Sequence, residues 1–221
     1  MPSKSALVAG ATGLVGSACL TEVLASPHYR EVTALVRRPI GLSHPKLTEC
    51  LVDFERLESD DPSLQGDDVF CCLGTTMKAA GSKDAFRRVD YDYPLALART
   101  TRGRGAQQFV LVSSMGAKPR SLSFYLRVKG ELEEALRRLG FTSLVILRPS
   151  LLLGTRQDRR LGETLAQLAG RVLAPLVWGS LAKYRPVSAG SVAKVMVEAA
   201  NLGLYGVHVI ESDRIGRGLG G

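Results

Sequence analysis

Tyr125 and Lys129 stand four residues apart in YLRVK, the interval that places two side chains on one face of a helix. A free phenol, with a pKa of about 10, exchanges protons poorly at neutral pH, and a cation beside it favours the phenolate. Such a pair can hand a proton to a carbonyl oxygen, or withdraw one from an alcohol. A serine hydroxyl at the end of a neighbouring strand can hydrogen-bond the same oxygen, and Ser113-Ser114 offers two. On a helix with no site beside it, the same spacing is an ordinary surface pair. The surroundings decide.

Those surroundings begin with LVAGATGLVG, Leu7–Gly16, an apolar strand running into three glycines and then a helical pattern. Small residues permit the sharp strand-to-helix turn and a close backbone approach to a ligand. The free N–H groups and dipole of the helix start favour an anion, typically a dinucleotide pyrophosphate. Gly10, Thr12, Gly13, Leu14, Val15 and Gly16 are the candidate contacts. Their spacing is GxxGxxG rather than the standard GxGxxG, so a glycine turn without a ligand is the alternative.

The second strand, Val32–Val36, ends in Arg37-Arg38-Pro39. At that position a carboxylate receives the ribose 2′-hydroxyl of NAD, whereas an arginine accommodates the 2′-phosphate of NADP. Guanidinium binds phosphate through bidentate, charge-assisted bonds, so Arg37 and Arg38 favour NADP(H) over NAD(H). Beyond later strands lie further candidate cofactor contacts, Asp53, Leu73-Gly74-Thr75, Ser113 and Arg148-Pro149, with Ser114 beside Ser113. Asp53 either accepts from an adenine amino group or caps its own turn. Gly74 either lets the backbone meet the cofactor ribose or only permits a tight bend. Lys129 is a second candidate for the nicotinamide ribose.

Seven strand-like runs position these residues: Leu7–Ala9, Val32–Val36, Glu49–Val52, Val69–Leu73, Phe109–Val112, Leu144–Leu147 and Val207–Ile210. Helical patterns cover 14–25, 84–103, 124–139, 162–173 and 191–201. This alternation predicts an α/β fold, a Rossmann-like doubly wound parallel sheet with right-handed crossovers and a small C-terminal substrate or lid portion. The chain reads as one domain over 1–221, with its core at about 5–150, the smaller portion at about 151–211 and a mobile Gly-rich tail at 212–221.

Composition is that of a soluble globular chain, 45% hydrophobic and 23% charged. Cys19, Cys50, Cys71 and Cys72 lack metal-ligand spacing and sit in apolar contexts, which suits free thiols in a reducing cytoplasm and predicts no metal. Met1–Ala6 has no long apolar run. Leu161–Ala182 is the most membrane-like stretch, but Glu163, Arg171 and Pro175 make it a buried or interfacial helix rather than a span. The net charge of +8 comes from scattered arginines without interleaved aromatics, so no nucleic-acid partner is expected.

Taken in order, GATGLVG (Gly10–Gly16), Arg37-Arg38, CCLGTT (Cys71–Thr76), FVLVSSMGA (Phe109–Ala117), YLRVKGELE (Tyr125–Glu133) and LRPSLLLG (Leu147–Gly154) resemble the atypical short-chain dehydrogenase/reductases. Within these, the chain is most similar to the Tat-interacting-protein-like oxidoreductases. The resemblance implies NADP(H) binding and hydride transfer with a small carbonyl or alcohol substrate. It puts Tyr125 and Lys129 in the family's catalytic positions and Ser114, less readily Ser113, in its serine position. Asp90, in RVDYDYP, falls in a segment resembling the family's fourth helix and receives no catalytic role. The stretch after Arg148 is too short for the sugar-nucleotide lobe of extended members. Arg156–Arg160 can contact an anionic substrate or simply start a solvated helix, and Lys183–Val187 can return the chain to the cleft. The alternative function is an NADP(H)-sensing module with little turnover, joined to a protein partner or a second copy.

Overall fold

The computed structural model describes residues 4–57, 64–153 and 185–219. The apolar, β-branched runs form strands β1 (Lys4–Ala9), β2 (Tyr29–Val36), β3 (Leu47–Leu51), β4 (Asp68–Cys71), β5 (Gln108–Val112) and β6 (Ser143–Arg148). After the two-residue strands β7 (Leu152–Leu153) and β8 (Val187–Ser188) comes β9 (Gly206–Glu211). Helices are α1 (Leu14–Ala25), α2 (Met77–Ala80), α3 (Lys83–Arg87), α4 (Tyr93–Gly103), α5 (Phe124–Arg137), α6 (Ala189–Asn201) and α7 (Ser212–Arg217).

All seven expected strands enter one parallel sheet in the order β3-β2-β1-β4-β5-β6-β9. The sheet is built outward in opposite directions from β1 and β4. Ligands of open α/β sheets bind beyond the carboxyl ends of the strands where that reversal occurs. Gly10 follows β1 and Gly74 follows β4, so both sit at this crevice. Parallel strands are buried on both faces. Ala6 and Val8 face a core with α1 and α6 residues such as Val15, Leu20 and Met196. Leu7 and Ala9 face the opposite core, which holds Leu97 of α4 and Leu132 and Leu136 of α5. Full burial of each such leucine stabilises the fold by about 1.5–3 kcal/mol.

Two expectations change. The helix read over 84–103 is not continuous. Ser82 caps α3, a π-helical turn spans Arg88–Asp92, and only then does α4 begin. The wider turn carries fully buried Asp90 toward the carboxyl ends of the strands. The tail expected to be mobile from Ser212 instead forms α7. Ile215 is buried, Ser212 Oγ receives the Ser150 N–H and donates to Ser150 Oγ, and Gly218 ends the helix at φ 80°. Burial of two residues outweighs the weak helix propensity of SDRIGR. Leu161–Ala182, the 162–173 helix, Arg156–Arg160 and Lys183-Tyr184 lie outside the described residues. Among the described residues, no helix is long and apolar enough to cross a membrane.

Candidate functional site

The glycine turn is built by close backbone approach. Gly10 has φ 84°, and a Cβ there would lie 2.6 Å from the Cys72 carbonyl oxygen at the end of β4. A Cβ on Gly16 would lie 2.0 Å from the Gly10 carbonyl oxygen. These two glycines hold α1 against the ends of β1 and β4. Gly13 is the N-cap of α1 and provides no side-chain cap, which leaves the first-turn N–H groups directed at the crevice. Thr12 and Leu14 are exposed on the turn, whereas Val15 points into the core and can meet a ligand only through its backbone. A pyrophosphate suits such a turn: an anion against an uncapped helix start, with no Cβ in the way.

Arg37 and Arg38 are exposed just past β2, with no acidic partner among the described residues. Asp53, past β3, uses Oδ1 to accept from Glu55 N–H, so it does cap its own turn. Leu73 packs against the α4–α5 core, and Gly74 lies over two buried charges.

Those charges are Asp90 and Lys129. Lys129 Nζ lies 2.8 Å from Asp90 Oδ1, with both side chains at most 5% exposed. Asp90 Oδ2 accepts from the Thr75 N–H at 2.8 Å, which ties the loop after β4 to the π-helical turn. A Cβ at Gly74 would sit 3.4 Å from Asp90 Oδ1 and 3.5 Å from Lys129 Nζ. Burial alone would lower the Lys129 pKa, but the Asp90 charge, the Tyr125 phenol and the bond to Asp90 outweigh it. The ammonium therefore titrates above an ordinary lysine. Tyr125, one turn earlier on α5, is half-buried and its ring leans on Phe86, with centroids 5.5 Å apart. Cys71 lies beneath this group. Burial pushes its thiol up to about 12, so it serves packing and not nucleophilic chemistry.

The two serines differ. Ser113 is buried and donates to Glu133 Oε1 at 2.5 Å. Glu133 is in turn gripped by Arg148, through Nε to Oε1 at 3.1 Å and Nη2 to Oε2 at 2.6 Å. Arg148 Nη1 reaches Glu211 Oε1 at 3.0 Å, so all three guanidinium nitrogens meet carboxylates. Buried Pro149 contributes its carbonyl to the Met115 N–H. Ser114, half-buried between Ser113 and Met115, has a side chain outside this network. Asp90, Glu133 and Glu211 are the participants the sequence reading missed. Asp90 was noted there without a role, and Glu133 left a trace as the third member of an i, i+4, i+8 row with Tyr125 and Lys129.

A model of the family described as NAD(P)H-binding matches residues 10–201, from the first glycine of the turn to the end of α6. The chain belongs to that family. Within the NAD(P)H-binding proteins it is similar to Protein HTATIP2 of Rattus norvegicus, 42% identical over 76% of this chain and 70% of the relative. It is also similar to Protein FMP52, mitochondrial, of Candida albicans, 35% identical over 91% of this chain and 90% of the relative. The resemblance to atypical short-chain dehydrogenase/reductases of the Tat-interacting-protein type therefore stands. Two solved structures share the fold. MoeE5 in complex with UDP-glucose and NAD has a TM-score of 0.72 at 20% identity, over 96% of this chain and 79% of that one. Human epimerase family protein SDR39U1 with NADPH has a TM-score of 0.64 at 18% identity, over 94% and 74%. The expectation of a cytoplasmic protein is overturned, because the fungal relatives carry the designation mitochondrial.

Proposed function

We propose that this chain transfers hydride between NADP(H) and a small carbonyl or alcohol substrate, with Tyr125 as general acid and base. The observation that carries the reading is the buried ammonium of Lys129, fixed by Asp90 one helical turn from Tyr125. Nicotinamide, when bound, supplies or accepts the hydride. The protein's part is positioning and proton transfer. The first turn of α1 would hold the pyrophosphate, and Arg37 and Arg38 the ribose 2′-phosphate. Lys129, keeping its own proton, would hold the nicotinamide ribose beside Tyr125. Tyr125 would donate its hydroxyl proton to the substrate oxygen in reduction and remove it in oxidation. Ser114, its side chain outside the Glu133 network, would hydrogen-bond that oxygen.

Replacing Tyr125 by Phe removes one oxygen and leaves the ring packed on Phe86. Turnover of NADPH with a panel of aliphatic and aromatic aldehydes, ketones and quinones should fall by about a hundredfold or more. NADPH affinity should stay within about twofold, because the lost oxygen serves only the substrate. Undiminished turnover in Tyr125→Phe contradicts the mechanism. Wild-type protein that binds NADPH and turns over no member of the panel contradicts the enzyme reading and leaves a cofactor-sensing module.

A further inference from the structure

Buried ion pairs occur at both ends of the sheet. At the amino end, Asp68 Oδ2 receives Lys4 Nζ at 2.6 Å and the Tyr29 hydroxyl at 2.7 Å. That cluster is far along the strands from the crevice and closes the base of the core. At the carboxyl end, the Glu133–Arg148 pair stands among the residues of the proposed reaction. Glu133 is 3% exposed, and it follows Tyr125 and Lys129 on the same face of α5. Both of its oxygens are occupied, Oε1 by Ser113 Oγ and Arg148 Nε, and Oε2 by Arg148 Nη2.

The backbone around Ser114 is held from the other side. The Ser113 N–H donates to the Leu147 carbonyl at 2.8 Å, and the Met115 N–H to the Pro149 carbonyl at 2.9 Å. These bonds extend the β5–β6 ladder past the end of β5. Ser114 therefore sits between two anchored residues, and one of them is tied through its side chain to α5. Replacing a buried ion pair by apolar groups is often neutral or stabilising, so stability alone gives little reason for this one. Its geometry gives another reason. It fixes the separation between the helix that carries Tyr125 and the strand end that carries Ser114.

We infer that Glu133 is a positioning residue for the reaction, holding Ser113, and through it Ser114, in register with Tyr125 on α5. The inference rests on the proposed hydride transfer. Glu133 touches neither substrate nor cofactor in this role. Its carboxylate, clamped by the planar fork of Arg148, is the rigid link. A misplacement of the substrate-oxygen partners by a fraction of an ångström to about an ångström slows turnover tenfold to a hundredfold without weakening cofactor binding.

The test compares Glu133→Gln with Asp68→Asn, a buried ion-pair variant at the opposite end of the sheet. Each protein is titrated with NADPH to count folded sites, and kcat and KM are then measured with the aldehyde, ketone and quinone panel. Glu133→Gln should lose about tenfold or more in kcat per folded site, with KM for NADPH unchanged. Asp68→Asn should keep the wild-type kcat per folded site even where its melting temperature drops as far. If Glu133→Gln melts too low to assay, Glu133→Asp keeps the charge, shortens the reach by one methylene and should show the same kcat loss. Wild-type kcat per folded site in either Glu133 variant overturns the inference, as does an equal loss in Asp68→Asn. Absence of turnover in the wild type overturns the parent reading, and the positioning role with it.

Discussion

Lys129 keeps its proton in the fold more firmly than in the unfolded chain, and other buried groups do the same. Burial holds the Cys71 thiol near 12, and the hydrogen bond with Cys19, followed by burial, raises Cys72. Burial likewise lifts the Tyr29 phenol above its ordinary range, reinforced by the charge of Asp68. For a raised pKa, the stability contribution is complete below the unfolded value and is lost as pH climbs through the folded one. The thiols set the start of the window, at about pH 9, and the phenol and Lys129 extend it beyond pH 10. The melting temperature should therefore fall steadily from pH 9 to 11. Each group steepens the loss by at most about 1.4 kcal/mol per pH unit. Cys71→Ala should show a shallower slope than the wild type. A flat melting profile to pH 11, or an unchanged slope in Cys71→Ala, contradicts this account. At this scale the sequence revealed residue types more readily than partnerships. Tyr125, Lys129 and the serine pair are readable because local spacing encodes them. Asp90 is not, because it meets Lys129 across a crossover and only after a π-helical turn has aimed it. The choice between Ser113 and Ser114 needs Glu133, which lies 20 residues from Ser113 in sequence.

The strand–turn–helix unit from β1 to α1 depends on Gly16 more than on Gly13. Adding one methyl at Gly16 drives it to 2.0 Å from the Gly10 oxygen, a backbone atom that cannot swing away. At Gly13 the same methyl meets that oxygen at 3.3 Å and needs only a slight adjustment. Gly16→Ala should cost more than about 3 kcal/mol in denaturant unfolding, whereas Gly13→Ala should cost less than about 1 kcal/mol. Equal midpoints for the two variants would show that α1 is not seated by this contact. The seven strands were legible because short β-branched runs separated by turns fit few other structures. Helix α1 was legible to the residue, bounded by Gly13 and Ser26-Pro27. The break in 84–103 was not, since RVDYD carries helical periodicity and the extra residue of a π-turn leaves no mark in it. Helix α7 was hidden by Gly216 and the glycines that follow the helix. Its stability comes from Ile215 and Ser212 meeting β6, β9 and the residues after them.

Across the whole molecule, the parallel order β3-β2-β1-β4-β5-β6-β9 brings residues from distant parts of the chain to one crevice. The glycine turn, Arg37-Arg38, Gly74, the Asp90–Lys129 pair and Tyr125 follow different elements yet share the carboxyl side of the sheet. Alternating strand and helix patterns made this topology readable, because right-handed crossovers leave few other arrangements. The mitochondrial designation of the fungal relatives had no counterpart in the sequence pattern, since composition and thiol context report on redox environment and not on address. We propose that NADP(H) binds at this crevice with its 2′-phosphate on the arginines past β2. Calorimetric titration of the purified chain, first shown to be free of retained nucleotide, tests it with NADPH, NADH and the Arg37→Ala variant. NADPH should bind about tenfold or more tighter than NADH, and Arg37→Ala should erase most of that difference while leaving NADH affinity unchanged. Folded protein that binds neither nucleotide, or binds both equally with and without Arg37, contradicts the account.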